Sequence, residues 1–394
     1  MILNRRSGVR RRRHQLGASA HGEQELALVL WDGELGGAEL MYAHLAAAMR
    51  GLGEDARLVF VNYAGPLAGH LAAANVPFDV LGYERGHHVL RHPRRFAAAI
   101  ACVGARGVLL PERSFLASAL RLGGYAAPIV AVEHGTLLLT GTTTLQKVIQ
   151  GVNTVTAAWA DDVEVGVSDF IVARMRRGAH AARLQRIYNG VDPSRFTPAA
   201  AAPLKSGHEL VVGFAGRLIR GKGTDDAIAA IGEACQRAAL RLVIAGQGPE
   251  QQRLWSLARE LNVGEQVDFR GLVSNMDQFW QECDIALFPS HQFIESFGMS
   301  ALEAMACGIP VVATRNGAVP EVVIDGVTGT IVEPGDVDAL ADALVTYADA
   351  PELRRGHGEA SRQRAAECFN IDDCARAYLR CFTLPAAADV GPRA

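Results

Sequence analysis

Short apolar runs alternate with longer stretches of helical spacing along most of this chain. Leu26 to Trp31, Ala56 to Val61, Pro77 to Leu81, Gly107 to Leu110, Ile129 to Val132 and Val163 to Val167 read as buried strands separated by Ala-rich helical segments, and Glu39 to about Arg50 carries helical apolar spacing. The pattern restarts with strands at Glu209 to Phe214, Arg241 to Ala245, Val267 to Phe269, Asp284 to Pro289 and Val311 to Thr314. Helices are predicted from about Asp225, from near Ser296 or Phe297 to Gly308, and over about 357 to 382. Strands alternating with helices predict an α/β architecture of parallel, doubly wound sheets, with ligands beyond the carboxyl ends of the strands.

A length of 394 residues suggests two or three domains. TPAAAAPLKSG is poor in bulky apolar residues and marks the boundary. We therefore expect a basic tail at 1–24, a first domain at 25–198, a linker at 199–207, a second domain at 208–356, helices at 357–382 crossing back to the first domain, and a tail at 383–394. The first tail holds Arg5, Arg6 and Arg10 to Arg13 without apolar periodicity and is expected to be disordered. Net charge is −3, but residues 1–197 hold 22 Lys plus Arg against 16 Asp plus Glu, a balance of +6, and the remainder holds 17 against 26, a balance of −9. No nucleic-acid footprint is visible in that distribution. No continuous apolar segment follows Arg13 as a signal peptide requires, and the apolar stretches are too broken by charge to span a bilayer. The seven cysteines include no Cys-x-x-Cys pair and read as reduced core residues of a cytoplasmic protein. Membrane contact is expected to be at most peripheral.

Candidate chemistry gathers at strand ends. In DIALFPSHQFIESFGMSALEAMACGIP, a strand leads through a loop carrying Glu295 into a helix with no wide polar face, in which Glu303 stands out. A carboxylate there needs donors: the adjacent hydroxyls of a ribose suit it, and so would an Arg or a neighbouring element's cap. AGRLIRGKGT, between a strand and a helix, sets Arg217 and Lys222 among Gly216, Gly221 and Gly223. That combination suits a diphosphate, or is two surface cations in a turn. Gly36 and Gly37 open another strand-to-helix passage, where backbone amides can approach an anion or a sugar. His134 follows directly on a strand, where a neutral imidazole suits a hydroxyl or is satisfied within its loop. Arg85, His87, His88, Arg91, Arg94 and Arg95 form a basic surface that reads as a solvated face, the alternative being a meeting place for a phosphorylated acceptor or anionic lipid. Asp336-Val337-Asp338 matches a manganese-binding Asp-x-Asp, yet it follows Pro334-Gly335 and precedes ALADALVTYA, which reads as a helix cap.

ESFGMSALE, with its two glutamates around Phe-Gly, followed by ACGIPVVAT, resembles the donor-site signature of glycosyltransferase family 4, the retaining transferases of GT-B fold. The likeness covers nearly the whole chain after residue 25. It implies two Rossmann-like domains with a cleft between them. It also implies that a hexose passes from a UDP- or GDP-sugar to an acceptor with retention, without cofactor or metal, in glycan or glycosylated-metabolite biosynthesis. By resemblance Glu303 holds the ribose, and Glu295 with Phe297, Gly298, Met299 and Ser300 holds the transferred sugar and diphosphate. Arg217 and Lys222 neutralise the leaving diphosphate, with Gly36, Gly37 and Gly216 beside it, and His134 touches the sugar. The backbone of Gly271, Leu272 and Val273 reads the base, and Glu321 lies in the loop behind the nucleotide. The acceptor is left open among a sugar, a lipid-linked glycan and a small molecule. The alternatives are a GT-B nucleotide-sugar epimerase or hydrolase and a non-catalytic nucleotide-sugar-binding subunit.

Overall fold

A computed structural model describes residues 25–34, 36–111, 115–135, 151, 156, 159–176, 184–199 and 209–383. The tail expected at 1–24, most of the linker, the segment 384–394, Leu35, residues 112–114 and the stretch after Gly135 up to 150 lie outside the described residues.

Two wholly parallel sheets form two lobes. The first contains β1 (Glu25–Leu30), β2 (Ala56–Phe60), β3 (Phe78–Val80), β4 (Ala105–Pro111), β5 (Ile129–Glu133), β6 (Val163–Gly166) and β7 (Leu184–Arg186), in the order β3-β2-β1-β4-β5-β6-β7. The second contains β8 (Leu210–Ala215), β9 (Leu240–Ala245), β10 (Val267–Gly271), β11 (Ile285–Phe288), β12 (Val311–Thr314) and β13 (Gly329–Val332), in the order β10-β9-β8-β11-β12-β13. Strand order reverses between β1 and β4 and again between β8 and β11, so each lobe has a switch point at which a ligand crevice opens. Sequence reading left out β7 and β13. The first has only three residues and the second begins on glycine, too little for a strand period to register.

Alternation along the strands builds the layers. In β1, Leu26, Leu28 and Leu30 join one apolar cluster and Ala27 and Val29 another, as a strand covered on both faces requires. The cluster holding Leu26 runs on without a break into the second lobe through Phe196, Phe369, Phe297 and Leu302. The expected final helical stretch is two helices, Pro351–Cys368 and Ile371–Cys381, broken around Phe369 and Asn370. The break places the second helix against Gly37–Gly51 of the first lobe. Here the Val191 amide donates to the Phe369 carbonyl at 2.8 Å and the Ile371 amide to the Val191 carbonyl at 3.0 Å, and Gly190 lies so close that a Cβ would sit 2.5 Å from the Ile371 Cα.

Polar contacts complete the seam between the lobes. The Arg362 guanidinium donates to the carbonyls of Phe196, Ala306 and Pro193, joining the exit of the first lobe to the second. The Ser168 hydroxyl donates to the Ser296 carbonyl at 2.8 Å, and both Glu321 carboxylate oxygens accept backbone amides, from Asp169 and Phe170, at 2.7 Å. Glu321 therefore caps the helix Asp169–Met175 from the opposite lobe, and its own backbone is held by Arg364. Phe369 packs edge-on against Tyr188 and Phe297, which are tilted against each other, with centroids 5.3 to 5.7 Å apart.

Glu321→Ala is expected to remove a charge-assisted cap worth about 2 kcal/mol and to lower the apparent melting temperature by a few degrees. A melt followed by circular dichroism measures it; an unchanged midpoint would mean that water replaces the carboxylate at no cost.

Candidate active site

The first loop of the candidate site begins where β11 ends. Glu295 is 5% exposed, and a carboxylate this buried requires donors. Lys222 Nζ lies 2.8 Å from its Oε1, and the Ser290 hydroxyl donates to the same oxygen. Oε2 accepts no hydrogen bond among the described residues. The ammonium also sits 4.1 Å from the centroid of the Phe293 ring, a cation–π contact.

Glycines make this approach possible. Gly221 has φ of +84°, and its carbonyl accepts the amides of His291, Gln292 and Phe293 at 2.9, 3.2 and 3.0 Å. Gly223, at φ +75°, lies so near the Pro289 carbonyl that a Cβ would be 1.9 Å from its oxygen. The loop after β8 thus nests against the loop after β11 and delivers Lys222 to Glu295. Arg217, on the same loop, is exposed and has no ion pair among the described residues, and its guanidinium carbon is 5.9 Å from the Phe293 centroid.

The helix expected from near Ser296 or Phe297 runs only over Met299–Ala306, because Gly298 is left-handed at φ +107° and Phe297 turns into the interlobe aromatic cluster. No side chain caps its N-terminus, so the amides of its first turn, with Met299 and Ser300 half-buried there, are open to an anion. One turn on, Glu303 is half-buried and accepts a long bond of 3.4 Å from Trp280 Nε1. Burial raises its pKa to about 7, against the lowering pull of the Trp280 bond and of Arg195. Its charge is therefore adjustable near neutral pH.

Gly36 precedes the helix Gly37–Gly51 in extended conformation, and Gly37 has open space where a Cβ would stand. His134 follows β5, with Nε2 buried and without a partner among the described residues and with its ring 5.5 Å from that of Tyr42. Burial lowers its pKa to about 4, so the imidazole is neutral at pH 7. These groups belong to the first lobe, at the carboxyl ends of β1 and β5. Gly216 follows β8, and its carbonyl lies so close to Gly246 that a Cβ there would stand 1.9 Å from the oxygen. Gly271 ends β10 at φ +66° and accepts the Gly246 amide at 2.7 Å, and Leu272 after it is 67% exposed with Val273 half-buried.

Asp336 caps its helix, accepting the Ala339 amide at 2.9 Å. Among the described residues one group, Asp225, Asp226 and His291, has the spacing to hold a metal ion. Both carboxylates already have partners there: Arg253 at 3.0 Å from Asp225 and His291 Nδ1 at 2.6 Å from Asp226. Sequence reading singled out none of Ser290, His291, Trp280, Ser168 or Asn316. Ser290 and His291 had one available signal, their place just past the end of a buried strand; the others make their contacts only through the fold.

Residues 198–364 match the family model for glycosyl transferases group 1. The GDP-mannose-dependent alpha-(1-6)-phosphatidylinositol monomannoside mannosyltransferase of Mycolicibacterium smegmatis is 30% identical over 325 residues, 74% of this chain and 82% of that protein. The N-acetyl-alpha-D-glucosaminyl L-malate synthase of Bacillus anthracis is 30% identical over 200 residues, 50% of this chain and 52% of its own. The match thus spans about half the length of several of these relatives. In structure, Anabaena Alr3699/HepE in complex with UDP and glucose superposes with a TM-score of 0.76 at 21% identity, covering 91% of this chain and 99% of that one. The chain belongs to the glycosyl transferases group 1 family, and its fold is GT-B.

Lys222→Met leaves the Glu295 carboxylate buried with a single hydroxyl donor and is expected to destabilise the unliganded protein by about 3 kcal/mol. Adding Glu295→Gln should return most of that loss. Thermal melts of the single and double variants check this, and a double variant as unstable as Lys222→Met would mean that packing of the lysine stem, not its charge, mattered.

Proposed function

We propose that this protein transfers a hexose from a nucleoside diphosphate sugar to an acceptor hydroxyl with retention of configuration. The observation that carries the reading is the buried Lys222–Glu295 pair, with Glu295 on the loop leading into the uncapped helix Met299–Ala306 and Arg217 facing the same Phe293 ring as Lys222. In this reading the diphosphate accepts from the helix amides and from Arg217 and Lys222, which stabilise the charge that develops on departure. The ribose donates both hydroxyls to Glu303. The sugar lies between the free Oε2 of Glu295 and the unpartnered Nε2 of His134, and the base rests against the backbone of Gly271, Leu272 and Val273. Support comes from relatives whose names specify a GDP-mannose donor or a UDP and glucose complex. Two cations at the diphosphate take the part of a divalent ion, so no cofactor is required. The seven cysteines are free, which agrees with a reducing cytoplasm, and among the described residues no helix is long and apolar enough to cross a membrane.

The acceptor is a sugar, a lipid-linked glycan or a small molecule bound on the first lobe. An epimerase or hydrolase would need a second group for proton transfer at the sugar ring. Glu295 is already bound to Lys222 and Ser290, and burial leaves His134 a weak base with its pKa lowered to about 4, which favours transfer.

Release of nucleoside diphosphate from UDP-glucose, GDP-mannose, ADP-glucose and dTDP-glucose, with and without EDTA, tests the reading. One donor should turn over, undiminished by EDTA, and Lys222→Ala should lower its rate by at least a hundredfold while Asp336→Ala leaves it unchanged. Equal loss in both variants would overturn the assignment of the site.

Because ribose hydroxyls donate to a carboxylate, nucleotide binding favours ionised Glu303. Affinity for UDP or GDP should therefore fall as pH drops below about 7, the pKa of the free protein's Glu303, and level off above it. Calorimetry across pH 5.5 to 8.5 decides the point, with Glu303→Gln as the control that retains only the diphosphate's own titration.

A further inference from the structure

We propose that Asn316 is a positioning residue for the transfer, acting through Glu295; the inference rests on the role given to Glu295 above. Asn316 lies in the loop after β12 and is 7% exposed. Its side chain spends its hydrogen bonds on one stretch of chain. Nδ2 donates to the carbonyls of Ser290 at 2.8 Å and Phe293 at 3.1 Å, and Oδ1 accepts the Glu295 amide at 3.4 Å. The start, middle and end of the segment 290–295 are thereby tied to one amide group.

The neighbours of Asn316 reinforce the same segment. Thr314 Oγ1 donates to the Ser290 carbonyl, and the Ala318 amide donates to the Glu295 carbonyl at 2.9 Å. Gly317, at φ +59°, passes so close that a Cβ would stand 2.0 Å from the Glu295 oxygen. The pinned segment carries both groups that define the carboxylate: Ser290, whose hydroxyl donates to Oε1, and Glu295 itself, which holds Lys222. Phe293, whose carbonyl Asn316 holds, supplies the ring under the Lys222 ammonium. An amide suits this place because it offers two donors and an acceptor without charge, and two carbonyls and an N–H face it. Asn316 is buried and spends its side-chain bonds on this loop, so its effect passes through the loop. A shift of about 1 Å in a reacting group costs on the order of a hundredfold in rate.

A double-mutant cycle between Asn316→Ala and Glu295→Gln tests this, using the sugar nucleotide that turns over among those named above. Asn316→Ala alone should lower kcat tenfold or more while the affinity for UDP or GDP stays within about twofold, because Glu303 and the helix amides are untouched. In the Glu295→Gln background the same change should cost less than about twofold. Equal factors in both backgrounds, or a loss of nucleotide affinity in step with kcat, would assign Asn316 a general structural role and overturn the proposal. Asn316→Asp has the same size and keeps the acceptor while turning an oxygen toward two carbonyls. It should match the alanine variant in kcat, and wild-type turnover in it would overturn the proposal even if Asn316→Ala failed to fold. Undiminished turnover in Glu295→Gln alone would instead remove the role of Glu295.

Discussion

The candidate site depends on two opposite charges taken out of water. Lys222 and Glu295 come together 2.8 Å apart with little exposure, and bringing them there has a desolvation cost that good geometry must offset. The surroundings supply that geometry. A serine hydroxyl takes part of the carboxylate's capacity, an aromatic ring faces the ammonium, and two left-handed glycines bring the backbones close enough for the side chains to meet. The result is a charge constellation held in place before any ligand arrives, the condition under which electrostatic stabilisation is most effective.

The loop bearing that pair also belongs to the seam between the lobes. Ser296, next to Glu295, is hooked by Ser168 of the first lobe, and Phe297 packs against Tyr188 of the first lobe and Phe369 of the returning chain. Glu321, in the short helix Val319–Val322 that follows Asn316, caps a helix of the first lobe. Rotation of one lobe against the other must therefore stretch or break bonds made beside the loops of the candidate site. The two lobes are mechanically joined beside the candidate site residues, so a motion of one lobe against the other would be felt there directly.

Charge state is set by the same packing. Burial moves Glu303 up to about 7 and His134 down to about 4, so an ordinary acid becomes half-protonated near neutrality and an ordinary base becomes a neutral hydrogen-bonding group. Neither shift follows from residue type. Each follows from what has been placed around the group.

By itself the sequence determined the alternation of strands and helices, the parallel two-lobed architecture, the glycine-rich passages at strand ends and the family to which the chain belongs. These are local or periodic properties, written within a few residues of one another. The later start of the helix at Met299 and the two short strands escaped it, since a left-handed glycine ends one pattern abruptly and three or four residues cannot establish another. Arg217, Lys222, Glu295 and Glu303 were legible as charged residues in apolar or glycine-rich settings. That Lys222 meets Glu295 across 73 residues was not, nor that Glu321 reaches a helix 152 residues away or that Asn316 braces a neighbouring loop. Only the tertiary structure decided those pairings, because a hydrogen bond depends on direction and burial, and the spacing of residues along a chain encodes neither once the partners lie on different strands.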